Sequence, residues 1–209
     1  MKNKLISRSY LCEVRAARTD KGNTITGRPI VYNSRTNIGP FDEIIEAGAL
    51  DGTDLTDVRF LVNHDISRIP LARSRRNNGS STMQLTPDAF GMDITAEIDT
   101  ENNADARALH SAVERGDISG MSFMFSVDDE EWEDLESDHP TRHIKKIGSV
   151  VEVSAVTFPA YESTEIYARS KEALESARSA VETARQQRAA SVETDELVLL
   201  KEKTKILGG

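Results

Sequence analysis

The sequence predicts an α+β protein: a mostly antiparallel β-barrel with a few helices, followed by a helical C-terminal tail. Three observations carry this expectation. Between residues 10 and 158, short alternating or apolar runs recur, bounded by Gly, Pro, Asn and Asp. One segment within that region has helical spacing instead. The last Pro is Pro159 and the last aromatic is Tyr167, after which the chain is rich in Ala, Glu, Arg and Lys. The division that follows is residues 1–167 as one domain and 168–209 as the tail.

Taken in order, the strand segments are YLCEVRAA, TITGRPIVYN, VRFLVNH, STMQLTP, GMDITAEID, ISGMSFMFSV, RHIKKIGS and VVEVSAVTF. DGTDLT and RRNNGSS have turn chemistry. NNADARALHSAVERG reads as a helix. Ala104, Ala108, Leu109, Ala112 and Val113 share one face, and Gly116 is placed to cap its C-terminus. DDEEWEDLESDHP is an acidic excursion that reads as a solvated hairpin tip. In the tail, Ala173, Ala177, Ala180, Val181 and Ala184 form a weakly apolar face, with a break expected near Ser191.

Bulk properties narrow the function. The net charge is −9, opposite in sign to a general nucleic-acid binder. The tail carries +1 and the preceding 167 residues −10. Cys12 is the single cysteine, which leaves no disulfide framework within the chain. No window approaches the ~18 apolar residues of a membrane span, and the N-terminal apolar runs are short for a signal sequence. These features describe a soluble, acidic, intracellular protein with no nucleic-acid or membrane partner. No cofactor or metal is expected: His139 and His143 have the i, i+4 spacing of half a zinc site, but Pro140 argues against the helix that would align them.

The segment RGDISGMSFMF places Ser122 on a very apolar strand. Alternation puts Phe123 and Phe125 on one face and Ser122 and Met124 on the other. Such a serine is either a hydrogen-bonded core residue or a nucleophile. A nucleophilic serine needs a base beside it, and histidine suits that role at neutral pH. His64 ends the apolar run VRFLVNHD, where a strand meets a loop. The imidazole in turn needs an acceptor on its other nitrogen. Glu152 emerges mid-strand, with Val151 and Val153 on the opposite face. Its carboxylate there is costly without a partner, although a salt bridge on an edge strand would also satisfy it. Asp65 is the rival acid and Ser119 the rival nucleophile.

GRPIVYNS, FDEIIEAGAL, LVNHD, GDISGMSFMF and VVEVSAVTFPAY stand in the order and approximate spacing of the tailed-phage prohead proteases, which the chain resembles over roughly residues 10–167. These are capsid-maturation serine proteases with a fold similar to that of the herpesvirus assemblins. The resemblance implies His64 as base, Ser122 as nucleophile and Glu152 as the third member; herpesvirus relatives use a second histidine in that last position. One departure is Ala72 in IPLAR, where the family often has Gly, which bears on the shape of that loop. The resemblance also implies the biology. A serine endopeptidase would cut scaffold or capsid-protein extensions, and itself, inside the prohead in the host bacterial cytoplasm. The major capsid protein, scaffold segments and a second copy of the chain would be its partners. Oxyanion donors would be backbone N–H groups, for which the loop Phe158 to Ser163 is the candidate. The alternative is a non-catalytic assembly or scaffolding module on the same fold. His, Ser and Glu at all three positions favour the enzyme.

Overall fold

A computed structural model of the chain describes residues 5–12, 14–19, 22–75, 79–157 and 171–207. Its spine is one long hairpin. Strand β10 (Gly120–Glu133) runs antiparallel to β11 (Thr141–Val156). The segments RHIKKIGS and VVEVSAVTF are therefore a single strand, and the first half of the acidic run, residues 128–133, is the far end of β10. Only residues 134–140 form the tip, and Leu135 within it is buried. Charged side chains on a long strand keep one face wet without breaking the ladder, so charge alone does not mark a turn.

The other strands of this sheet flank the hairpin. On the β10 side lies β1 (Leu5–Leu11), antiparallel. Along β11 the partners are parallel: β5 (Asp42–Ile45) on its first half and β6 (Arg59–Val62) on its second. The short strands β4 (Thr36–Asn37) and β7 (Ala72–Arg73) extend β5 and β6. A second sheet has the order β2 (Arg15–Thr19), β3 (Gly22–Val31), β9 (Gly91–Ile98) and β8 (Met83–Asp88), all antiparallel. The two sheets do not close into the expected barrel. The predicted strand YLCEVRAA switches sheets instead, ending β1 at Leu11 and starting β2 at Arg15. Strand β3 hydrogen-bonds to β9 and not to β10. The result is α+β, mostly strands, with open sheet edges. Ile25, Ile30, Met92, Ile94 and Ala96 of the second sheet belong to one core with Met121, Phe123, Phe125 and Val153 of the first.

Helix α1 (Ala104–Glu114) starts where Asn103 caps it: the Asn103 side-chain oxygen accepts from Asp105 N at 2.9 Å and Ala106 N at 3.3 Å. It ends before Gly116, at φ +78°. Ala106, Leu109 and Val113 are buried, whereas Ala104 and Ala108 of the predicted face stay exposed. Helix α2 (Lys171–Leu207) passes through Ser191 without the expected break; the Ser191 hydroxyl donates to Arg188 O at 2.7 Å within the helix. Ala177, Val181 and Ala184 are buried against Phe41 and Leu135. Arg185 donates to Leu135 O at 3.0 Å and Ser137 O at 2.8 Å. The weakly apolar face is thus sufficient to dock the helix on the hairpin tip. No helix of the described residues is long and apolar enough to cross a membrane.

One glycine ties the second sheet together. Gly91, at φ +150°, opens β9 where a Cβ would lie 1.9 Å from the Ile30 carbonyl oxygen. Gly91→Ala combines a disfavoured φ with a backbone clash, and should cost about 3 kcal/mol. For a chain of this size that lowers Tm by about 6–12 °C. A thermal melt followed by circular dichroism with no shift would contradict this packing.

Candidate active site

The predicted base stands at the end of β6. That strand runs parallel to β11, and Asn63 N still donates to Ala155 O at 2.9 Å. The chain then turns through two consecutive left-handed residues, Asn63 at φ 51° and His64 at φ 59°. Left-handed backbone is uncommon outside glycine, although Asn and His adopt it more readily than most residues. Paired exceptions of this kind cluster where geometry is functionally constrained. Two bonds hold the turn: the Asn63 side chain donates to Thr157 Oγ1 at 3.1 Å and accepts from Thr157 N at 3.0 Å.

The turn brings His64 Nδ1 onto Glu152 Oε1. Glu152 is almost fully buried. Its second oxygen accepts from the Ser154 hydroxyl at 2.6 Å, and that same hydroxyl accepts from His64 N at 3.1 Å. Glu152 and Ser154 share a face because they are two apart on β11. Val151 is only half-buried, and Val150 joins Val153 in the core instead. A bulge there pairs Phe125 with Val150, while Met124 pairs with Glu152. Bulges commonly re-aim side chains beside active sites. A carboxylate only accepts, so His64 Nδ1 is the donor in this bond, and in the neutral ring Nε2 is then the acceptor.

Ser122 faces Ser154 across the β10–β11 ladder, on the same side of the sheet as Glu152. Phe123 and Phe125 stack on the other side, with ring centroids 4.7 Å apart. The hydroxyl nearest His64 Nε2 is nevertheless that of Ser7 on β1, at 3.0 Å. Ser122 Oγ lies 3.5 Å beyond Ser7 Oγ and donates to the Arg8 carbonyl at 2.7 Å. Ser122 is fully buried. The structure thus joins Glu152 to His64, and links His64 to Ser122 through Ser7.

The rivals lie elsewhere. Asp65 accepts from Ser67 N at 3.1 Å and from the Ser67 hydroxyl, contacts that hold its carboxyl below the usual range. It does not bond His64. Ser119 is exposed, just before β10. His139 pairs with Asp42 at 2.9 Å, and His143 with Glu46 at 2.6 Å. Burial pushes the Cys12 thiol up to about 11, which leaves it unreactive near neutral pH. Among the described residues, no group of three or more His, Cys, Asp or Glu is placed to hold a metal ion. The loop Phe158 to Ser163 lies outside the described residues. Reading the sequence missed Asn63, Ser154 and Ser7. Ser154 alone left a local signal, as the residue two beyond Glu152 on the same strand face.

A buried carboxylate, an imidazole with a fixed tautomer and a hydroxyl chain are the parts of a nucleophilic acyl-transfer site. A family model described as Caudovirus prohead serine protease matches residues 11–178. No curated protein and no solved structure matches the chain.

The hydrogen bonds rank the two buried hydroxyls by stability. Ser154→Ala strips a donor from buried Glu152 and an acceptor from His64 N. It should cost about 2–3 kcal/mol, the price of an unsatisfied buried charge. Ser122→Ala removes one bond to a carbonyl and should cost about 1 kcal/mol. Denaturant unfolding of both variants checks the ranking, and a reversed order would overturn it.

Proposed function

The chain belongs to the caudovirus prohead serine protease family, and we propose that Ser122, His64 and Glu152 form its catalytic triad. In this reading Ser122 Oγ attacks a peptide carbonyl while His64 Nε2 takes its proton. The imidazolium then gives that proton to the leaving amine. Water repeats the sequence on the acyl-enzyme. Glu152 keeps the ring in the correct tautomer and stabilises its positive charge. The observation that carries the proposal is the pairing of buried Glu152 with half-buried His64, with Glu152 on the same sheet face as Ser122. The substrates are scaffold or capsid-protein extensions, and the chain itself, within assembling proheads.

The 3.0 Å contact between Ser7 and His64 Nε2 raises a second reading, with Ser7 as nucleophile. Ser7 precedes residues 11–178, the span matched by the family model, whereas Ser122 lies within it. That favours Ser122. Ser122→Ala should lower peptide cleavage by roughly 10⁶, and Glu152→Gln by up to about 10⁴. Ser7→Ala and Ser119→Ala should retain activity. Loss of activity in Ser7→Ala but not in Ser122→Ala would transfer the role.

We also assign residues 1–167 to an assemblin-like protease domain and 168–209 to attachment within the prohead. Residues 186–194 of α2 are exposed, which supports a partner-binding role for the far half of the helix. Deleting residues 191–209 keeps the contacts of Ala177, Val181, Ala184 and Arg185. The shortened protein should cleave a peptide at an unchanged rate yet co-purify poorly with assembled shells. Normal packaging would remove the attachment role.

A further inference from the structure

Strand β1 engages both the base and the nucleophile of the proposed reaction. It is an extended seven-residue segment, LISRSYL, laid antiparallel along the strand that carries Ser122, from Leu5 opposite Ser126 to Leu11 opposite Gly120. A peptide added to the edge of β10 would make the same ladder. The Arg8 carbonyl accepts a hydrogen bond from the Ser122 hydroxyl at 2.7 Å. The Ser7 hydroxyl donates to His64 Nε2 at 3.0 Å. Base and nucleophile are therefore both engaged, but by β1 and not by each other. What β1 presents to Ser122 is a carbonyl oxygen accepting a hydrogen bond. Ser122 needs its proton on His64 before it can attack the carbonyl carbon, so this strand is bound without being cut.

The Arg8 side chain shows how such a strand is selected. Its Nε and Nη2 reach the two oxygens of Glu43, the latter at 2.8 Å. Glu43 is fully buried, and Arg142 Nη1 is its second partner at 3.1 Å. When Arg8 leaves, Glu43 keeps Arg142, so departure of β1 does not strand an unpaired buried charge. A buried carboxylate next to the position where a peptide carbonyl meets Ser122 favours Arg or Lys at that peptide residue.

We propose that β1 is an intramolecular stand-in for the substrate: residues 5–11 hold the site shut, and an extended peptide with a basic residue facing Glu43 replaces them in the working enzyme. The proposal rests on the triad reading above and adds the strand that occupies its cleft.

The test compares the full chain with a protein lacking residues 2–9, using a fluorophosphonate that phosphonylates activated serines. Mass spectrometry locates the modified residue. Ser122 should react about tenfold faster or more in the shortened protein, the factor expected if the open form is about a tenth of the full-chain population or less. Adding the peptide LISRSYL should slow the shortened protein again, and LISASYL should need about a tenfold higher concentration or more. Equal rates at Ser122 in the two folded proteins would overturn the proposal and leave the nucleophile standing. Labelling at another residue, or at none in either folded protein, would overturn the triad and the proposal together. If the deletion does not fold, Ser7→Gly in the full chain decides. It frees His64 Nε2 and should speed labelling, and an unchanged or slower rate would overturn the proposal.

Discussion

A carboxylate buried in the middle of a strand is the constraint around which this molecule is arranged. Unpaired, Glu152 would cost several kcal/mol. Both of its oxygens are committed, one to His64 Nδ1 and the other to the Ser154 hydroxyl. Those two bonds account for much of the local architecture. Ser154 must lie two residues on, along the same face. Strand β6 must run parallel to β11 so that its end lies over Ser154. The chain must then enter left-handed backbone at Asn63 and His64 to swing the imidazole back, and the Asn63 side chain pins that turn to Thr157.

A second buried carboxylate, Glu43, knits the opposite side of the sheet. Burial works against its charge, and Arg8, then Arg142, outweigh burial, so its carboxyl stays below the usual range. Arg142 also pairs with Glu130. The network therefore links β1, β5, β10 and β11. A depressed carboxyl contributes stability that is present above its unfolded pKa of about 4.3 and is lost as pH falls through the folded value. Strand β1 is thus held by charge as well as by backbone bonds, and that hold weakens in acid.

The three residues proposed for the candidate site could be picked out because their signals are local. Phe123 and Phe125 fix the face on which Ser122 must lie, the run VRFLVNHD ends in a histidine, and Glu152 interrupts a valine run. What was not legible depends on partners far along the chain. Ser7 matters only because β1 pairs with β10 in one register, and nothing in LISRSYL announces that partner. Val150 and Val151 suit the core equally well, so the bulge that selects Val150 leaves no mark in composition. The barrel expectation failed for the same reason: the sequence has no Gly or Pro between Leu11, where β1 ends, and Arg15, where β2 starts, and DEII is too short to declare a parallel pairing with β11.

The two parallel pairings of β11 also bear on timing. Glu152 is 88 positions from His64, and β11 is the last strand among the described residues. Contacts between distant segments carry a loop-closure cost and form slowly. A growing chain exposes His64 and the strands of the second sheet well before β11 exists to supply Glu152. Until residues 141–156 have been made and zipped between their neighbours, the imidazole has no carboxylate to orient it. Strand order therefore makes the Glu152–His64 contact one of the last that the two sheets can form as the chain grows.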